Sequence, residues 1–535
     1  MTAAGATGTT VREAVLDLLR AFGMTSVFGN PGSTELPMFR DFPADFRYVL
    51  GLQESVALSM ADGYAQATRN AALVNLHSAA GVGHAMGSLF TAYRNRTPLL
   101  VVAGQQARSM LAGEPYLFSD QATELPKPYV KWSREPARPE DVPQAIARAY
   151  YLAMSPPRGP VVVSVPSDDW DRPAEPVAPR AVSTSLRGDP EDLATVGRAL
   201  ANATRPAFVV GAAVDQEQAI DDVVALAEAH RASVWAPPMS SRCGFPETHP
   251  LFAGFLPPIR EEIAELLGAY DVVLSFGAPV FTYHVAGTGP VVPAGTSLFL
   301  LTDDPHTAAW TPVGSAVLTG IRLGARELAS HPPRTDRTTP PARPPAGRVS
   351  ASDTITQEYL VQTLAELRPP NTAVVEEAPS TRPVMCEYLP NLGPDSFRTC
   401  ASGALGFSLP AAVGLSLGRP DRRVVAVLGD GSSMYSIQAL WSAVELDVPL
   451  TVLVVDNGGY ATVDRFAERF GIGKAVGTTL GGIDFVGLAR AQGCPADRVS
   501  EPDQLPAALR TALEAPGPYL LDVLVDPEPP TRQRR

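Results

Sequence analysis

Short apolar runs, each closed by a turn of small or polar residues, recur along the whole chain. Ser26-Val27-Phe28, Tyr48-Val49-Leu50, Ala72-Leu73-Val74-Asn75-Leu76 and Leu99-Leu100-Val101-Val102-Ala103 read as strands. Between them lie segments with apolar residues at helical spacing, such as Val11 to Phe22, ended by Gly23, and Ser55 to Thr68, headed by Glu54. The strand pattern returns at Ala207–Val210 and Val272–Phe276, and again at Arg423 to Leu428 and Leu450 to Val455. Alternation of this kind predicts an α/β fold of doubly wound parallel sheets covered by helices.

Two stretches interrupt the alternation. One is proline-containing, from about Asp168 to Pro190; the other, His331 to Pro345, is crowded with Pro, Arg and Thr. They predict three domains, at residues 1–180, 181–345 and 346–535. The 535-residue length agrees, being too great for one core.

Composition narrows the function. With 45% hydrophobic and 19% charged residues the chain is globular. A formal charge of −13 argues against general nucleic-acid binding but not against an anionic ligand, because a metal ion and backbone amides supply local positive potential. Cys243, Cys386, Cys400 and Cys494 form no Cys-x-x-Cys pair, which disfavours zinc and dithiol motifs. No segment reads as a signal peptide or a bilayer span, so a cytoplasmic enzyme without membrane partners is expected, with a frayed tail from Pro529 to Arg535.

The sharpest local pattern lies in the last third. Arg423 to Leu428 reads as a buried parallel strand and Gly429-Asp430-Gly431-Ser432-Ser433 as a tight turn. Tyr435 to Glu445 follows as a helix. Leu450 to Val455 is then a strand ending in Asp456-Asn457-Gly458-Gly459-Tyr460. A right-handed strand–helix–strand unit puts both turns at one carboxyl edge. Asp430 and Asn457 can there reach one hard cation, magnesium or calcium, that shares oxygens with a phosphate group. Amides near Ser432 and Ser433 suit an anion. Alone, Gly-Asp-Gly reads as a turn after a strand; the second turn one unit later makes it a cofactor site.

This pair of turns resembles the thiamine diphosphate motif of the decarboxylase and acetohydroxyacid synthase superfamily. The resemblance implies Asp430, Asn457 and the Gly459 carbonyl as metal ligands, with Ser380, Gly429, Gly431, Ser432, Ser433 and Tyr460 around the cofactor. Phe28 to Pro37, Leu52-Gln53-Glu54, Asn75 to Gly81, Val130 to Ser133, Asp168 to Asp171 and Gly277 to His284 are similar to the benzoylformate decarboxylase branch, along nearly the whole chain. The pyruvate decarboxylase branch carries an adjacent histidine pair, which this sequence lacks.

On local pattern Glu54 is a helix-start carboxylate. The resemblance implies that it bonds the aminopyrimidine nitrogen of the cofactor and so promotes loss of the thiazolium C2 proton. It also implies that this glutamate and the diphosphate site of one active centre come from different subunits, making a homodimer the minimum unit and a homotetramer the usual assembly. Gly403 would offer its carbonyl to the cofactor's amino group. Leu405, otherwise a core residue, would lie beneath the cofactor. Decarboxylation of a 2-oxo acid leaves a carbanion equivalent to be protonated, so a positioned acid is required, and histidine titrates near working pH. The resemblance implies His77 and His284 for proton handling and Ser33, locally a helix cap, for the substrate carboxylate. His84, His230, His249, His306 and His331 have no such context and read as structural.

The substrate pocket departs from the family pattern. Tyr116 and Leu117 stand where the family has two leucines, Thr399 where it has phenylalanine, Thr462 where it has alanine, and Pro379 where it has threonine; Phe466 is kept and Val463 stays aliphatic. Added hydroxyls want partners, so the preferred acid is expected to be bulkier or more polar than benzoylformate. Two other functions share part of the pattern: a carboligase on the same cofactor, and a non-catalytic nucleotide-binding α/β protein. A dinucleotide-binding dehydrogenase is disfavoured, because no Gly-x-Gly-x-x-Gly follows an early strand.

Overall fold

The computed structural model describes residues 8–280, 282–291, 293–312, 314–473 and 475–527. The tail expected at 529–535, and Phe281 of the Gly277 to His284 motif, lie outside the described residues.

Among the described residues, eighteen strands form three six-stranded sheets. The first holds β1 (Ser26–Gly29), β2 (Arg47–Leu50), β3 (Ala72–Leu76), β4 (Leu99–Gln105), β5 (Trp132–Arg134) and β6 (Val161–Pro166), in the order β2-β1-β3-β4-β6-β5. The second holds β7 (Pro206–Val210), β8 (Ser233–Ala236), β9 (Phe252–Phe255), β10 (Val272–Phe276), β11 (Ser297–Thr302) and β12 (Ser315–Leu318), in the order β12-β11-β10-β7-β8-β9. The third holds β13 (Ala373–Glu377), β14 (Phe397–Thr399), β15 (Val424–Gly429), β16 (Leu450–Asp456), β17 (Ala496–Val499) and β18 (Tyr519–Leu524), in the order β14-β13-β15-β16-β18-β17. The first two sheets are parallel throughout, as are the β15–β16, β16–β18 and β17–β18 pairs. Strands β3, β4, β6, β7 and β10 are buried along their whole length, as unbroken apolar runs require when helices cover both faces.

The chain forms two compact units. One comprises the described residues within 8–183, 375–380 and 402–527; the other comprises those within 184–374 and 381–401. In the first unit, α1 (Val11–Ala21) starts in a capping box between Thr10 and Glu13. The next helices are α2 (Glu54–Thr68) and α3 (Ser78–Asn95). Helix α2 packs on helix Ser408–Gly418 at backbone distance: a Cβ on Gly63 would lie 2.0 Å from the Ala411 carbonyl oxygen, and one on Gly414 1.8 Å from that of Met60. Among the described residues no helix is long and apolar enough to cross a membrane.

Candidate active site

In the first sheet the strand order reverses between β1 and β3, so the turns after these strands flank one crevice at the carboxyl edge. Gly32, Ser33, Thr34 and Glu35 come from the first turn, and His77 from the second. His77 Nδ1 lies 2.9 Å from Glu35 Oε2 and 3.0 Å from Thr34 Oγ1. Glu35 is 1% exposed; its Oε2 also accepts from the Gly32 amide at 2.8 Å, and its Oε1 accepts from the Thr34 hydroxyl. A carboxylate so held takes the Nδ1 proton of His77 as its hydrogen bond and leaves Nε2 for chemistry. A Cβ on Gly32 would stand 2.2 Å from His77 Nδ1, so only glycine admits the ring. Ser78, next to His77, has φ +49, a left-handed conformation that costs a serine about 1 kcal/mol. Ser33 is exposed in the first turn.

Glu54 is the first residue of α2, after the N-cap Gln53, whose side chain accepts from the Ser55 amide at 2.7 Å. Its Oε2 lies 3.0 Å from His84 Nδ1. His77, Gly81 and His84 follow at i, i+4 and i+7, on one face of α3. A Cβ on Gly81 would stand 3.4 Å from both Glu54 Oε1 and His77 Cβ. The first turns of α3 therefore lie between two acids, Glu35 and Glu54.

The third sheet reverses between β13 and β15. Gly429 is in register with Val455, so Asp430 and Asn457 leave the same edge one and two residues later. Where the sequence suggests a turn there is one turn of helix, Asp430–Ser433, because extended Gly429 caps it and Asp430 Oδ1 accepts from the Gly431 amide at 2.7 Å. The helix expected from Tyr435 narrows to Ala439–Glu445. The intervening bonds, Tyr435 N to Ser432 O and Ser436 N to Ser433 O, close tighter three-residue turns.

Asp430 Oδ2 is sealed from solvent and has no partner among the described groups. Burial pushes the Asp430 carboxyl up to about 6; the Gly431 amide pulls it down, Asp456 pushes it up, and the Gly459 and Gly458 amides pull it down. Asn457 Oδ1 accepts from the Gly459 amide at 3.2 Å. Tyr460 donates its amide to Thr478 O at 2.8 Å, and its ring covers Gly431, where a Cβ would meet Tyr460 Cε1 at 2.3 Å. Ser432 and Ser433 are buried, and the Ser433 hydroxyl donates to Gly429 O at 2.8 Å. An orphaned, buried carboxylate oxygen asks for a cation. With the Asn457 side-chain amide and the Gly458–Gly459 backbone leaving the same sheet edge, the donor types are the hard kind that magnesium takes. Among the described residues no three His, Cys, Asp or Glu side chains gather as a metal site, so a softer metal has no comparable set.

Gly403 and Gly406 have φ +73 and +94, and Leu405 between them is half-buried. The Ser380 carbonyl accepts from Arg465 Nη1 at 3.4 Å. Thr462, Val463 and Phe466 lie on helix Ala461–Arg469, Val463 exposed and Phe466 stacked on Phe470. Tyr116 is 95% exposed within this chain. The Gln106 side chain donates to its carbonyl at 2.6 Å, and the Ser78 hydroxyl donates to that of Leu117. Two of the expected residues belong to the second unit. Thr399 is buried on β14, its amide bonded to Ser241 O at 3.0 Å; His284 is exposed, its amide bonded to Pro258 O at 3.1 Å.

Three acid or histidine side chains that contact these turns and loops carry no role in the sequence analysis. Glu35 exchanges bonds with Gly32 at the spacing of a capping box, a signal that was available. His84 repeats His77 at i+7, which a helical wheel would have paired. Glu377, at the buried end of β13, carries no local signal, because its partners lie 29 to 31 residues away.

Residues 9–124, 193–322 and 380–523 match the N-terminal TPP binding domain, the central domain and the C-terminal TPP binding domain of the thiamine pyrophosphate enzymes. The chain is 41% identical to the benzoylformate decarboxylase of Pseudomonas aeruginosa over 519 residues, 96% of this chain and 98% of that protein. Its fold is similar to the crystal structure of benzoylformate decarboxylase from Polynucleobacter necessarius, with TM-score 0.95 and 39% identity over 97% of this chain and 99% of that one. It is equally similar to the thiamine diphosphate-dependent 4-hydroxybenzoylformate decarboxylase of Rhodococcus jostii RHA1, with TM-score 0.94 and 40% identity over 97% of this chain and 100% of that one. The acetolactate synthase isozyme 3 large subunit of Escherichia coli matches at 27% identity over 94% of this chain and 92% of that protein.

Proposed function

The chain belongs to the thiamine pyrophosphate enzyme family, and on that premise we propose that it releases carbon dioxide from an aromatic 2-oxo acid of the benzoylformate type, leaving the aldehyde. It is a thiamine diphosphate-dependent decarboxylase. The aromatic class is supported by the 41% identity to a benzoylformate decarboxylase, and decarboxylation over carboligation by the Glu35–His77 pair, an imidazole held by a sealed carboxylate at a sheet's switch point.

The cofactor, when bound, supplies the nucleophilic carbon and the electron sink. The chain's own residues bind, orient and move protons. Asp430, Asn457 and the Gly459 carbonyl would hold magnesium (calcium would also suit), an assignment supported by the orphaned Asp430 Oδ2. Gly429, Gly431, Ser432, Ser433, Tyr460 and Ser380 line the diphosphate end; Gly403 and Leu405 receive the aminopyrimidine end. Glu54 would bond the aminopyrimidine nitrogen. Ser33 would hold the substrate carboxylate, His77 would face the substrate's keto oxygen through Nε2, and His284 or a water nearby would assist protonation or release of the product. Tyr116, Leu117, Thr399, Thr462, Val463 and Phe466 set the preferred acid.

Glu54 and the Asp430 site meet across a homodimer interface, and two dimers make a tetramer in the cytoplasm. The 95% exposure of Tyr116 in a single chain supports a surface that a second copy covers. The domain limits 1–180, 181–345 and 346–535 belong to the same proposal. A panel of aromatic and aliphatic 2-oxo acids tests the reading, scored for carbon dioxide and aldehyde with and without an acceptor aldehyde. Aldehyde in step with carbon dioxide from benzoylformate-like acids is expected. A coupled ketol as the main product, or turnover of pyruvate alone, would replace it with the carboligase reading.

A further inference from the structure

Glu377 is a buried acid that none of these roles uses. It ends β13, and its carbonyl lies beside the end of β15, where a Cβ on Gly429 would stand 3.9 Å away. Its carboxylate accepts from three consecutive backbone amides: Gly406 at 2.5 Å, Phe407 at 2.9 Å and Ser408 at 2.7 Å. Those amides close the Gly403–Gly406 loop and open helix Ser408–Gly418, where N–H groups otherwise lack partners. Burial pushes the carboxyl up to about 7, against the pull of the Gly406, Ser408 and Phe407 amides. The Ser408 hydroxyl, donating to Glu376 O at 2.9 Å, ties the same junction from the other side.

At the start of the loop the Ala404 amide donates to Ser402 Oγ at 3.1 Å, and Ser402 Oγ lies 2.8 Å from Thr91 Oγ1. Gly403 and Gly406 take left-handed φ, and neither glycine resists other conformations. A Cβ on Gly406 would meet Tyr435 Cβ at 2.9 Å, so no bulkier residue can stiffen that point. One carboxylate across three donors therefore fixes the outgoing end of the loop, residues 406–408. We propose that Glu377 is a positioning residue for the cofactor, fixing the outgoing end of the Gly403–Gly406 loop in its binding shape before thiamine diphosphate arrives. The inference rests on the reading that this loop receives the aminopyrimidine. A loop ordered in advance loses less entropy on binding, so its worth shows in affinity. A helix cap alone would show in stability and leave affinity untouched.

The test compares Glu377→Gln and Leu405→Ala in the full-length enzyme, titrating thiamine diphosphate with magnesium present. Glutamine keeps the size but turns an amide hydrogen toward amide donors. Glu377→Gln is expected to weaken cofactor binding by about tenfold or more, the loss of one hydrogen bond to a charged group. Its kcat at saturating cofactor is expected to stay within about twofold of wild type, since the loss is of binding and not of chemistry. Glu377→Asp, which keeps the charge, should recover part of the affinity. Wild-type affinity in Glu377→Gln beside weakened Leu405→Ala would overturn the proposal and leave Glu377 a helix cap. Wild-type affinity in both would instead remove the loop from the cofactor site, and the parent reading with it. Where Glu377→Gln does not fold, hydrogen exchange on the wild-type chain decides: amides 406–408 are expected to be equally protected with and without cofactor. Protection that arises only on cofactor addition overturns the proposal.

Discussion

His77 Nδ1 stands 2.9 Å from Oε2 of Glu35, a carboxylate sealed from solvent and tied to the amide of Gly32 in the turn that also carries Ser33. The acid fixes the imidazole's tautomer, so His77 can act only through Nε2. Glu35→Gln keeps the shape but lets the amide present either face. Its kcat is expected to fall by about tenfold to a hundredfold, less than the loss from His77→Ala, for which the usual range of an acid–base group applies. Steady-state kinetics at saturating cofactor measure this; an unchanged kcat returns Glu35 to the scaffold.

Glu54, at the start of α2, and His84, on α3, form a second acid–histidine pair, 3.0 Å apart. Glu54→Gln is expected to reduce kcat by about 10² to 10⁴ while magnesium-dependent cofactor binding persists. His84→Asn should cost only several-fold, because it removes a partner and not the acid. Equal losses in the two variants would show that the pair, and not Glu54 alone, activates the cofactor.

Asp430 invites a split result. Asp430→Asn should abolish magnesium-dependent cofactor binding, as should a chelator on the wild type. Yet the cofactor-free variant should be as stable as wild type or more so, by about 1 kcal/mol, because it no longer buries an unpartnered carboxylate. Thermal denaturation without metal checks the sign. A large loss of stability would mean that Oδ2 has a structural partner.

A pH effect follows from the second unit. His230 Nδ1 lies 3.0 Å from Arg337 Nη1; Arg337 is buried and donates to the carbonyls of Leu200, Ala201, Ala203 and His230, closing the ends of helices Pro190–Asn202 and Ile220–His230. Burial, then the charges of Arg337 and His331, lower His230 to about 4, with a smaller opposing pull from Leu200. The unfolded chain takes up this proton near 6.5, before the folded one does, so stability is lost as pH falls from about 6.5 to about 4. The full loss is on the order of 3 kcal/mol. His230→Gln keeps an acceptor for Arg337 without titrating. Its melting temperature should fall less than the wild type's between pH 7 and 4.5. Parallel curves for the two proteins would rule His230 out as the cause.

The sequence by itself determined the class of fold and the placing of the Asp430 and Asn457 turns at one sheet edge. Unbroken apolar strands such as Ala72–Leu76 can be buried only between helices, and Asp430 and Asn457, one strand–helix–strand unit apart, must share an edge. These are consequences of short-range order, which local pattern carries. Only the tertiary structure decided that Glu35 holds His77, that Glu54 meets His84, and that Glu377 closes a loop 29 residues further on. It also decided that Asp430 keeps one oxygen without a partner. Each depends on which side chains the crossovers bring into hydrogen-bond range and which groups burial cuts off from water, and neither distance nor desolvation is a property of a residue's neighbours in the chain.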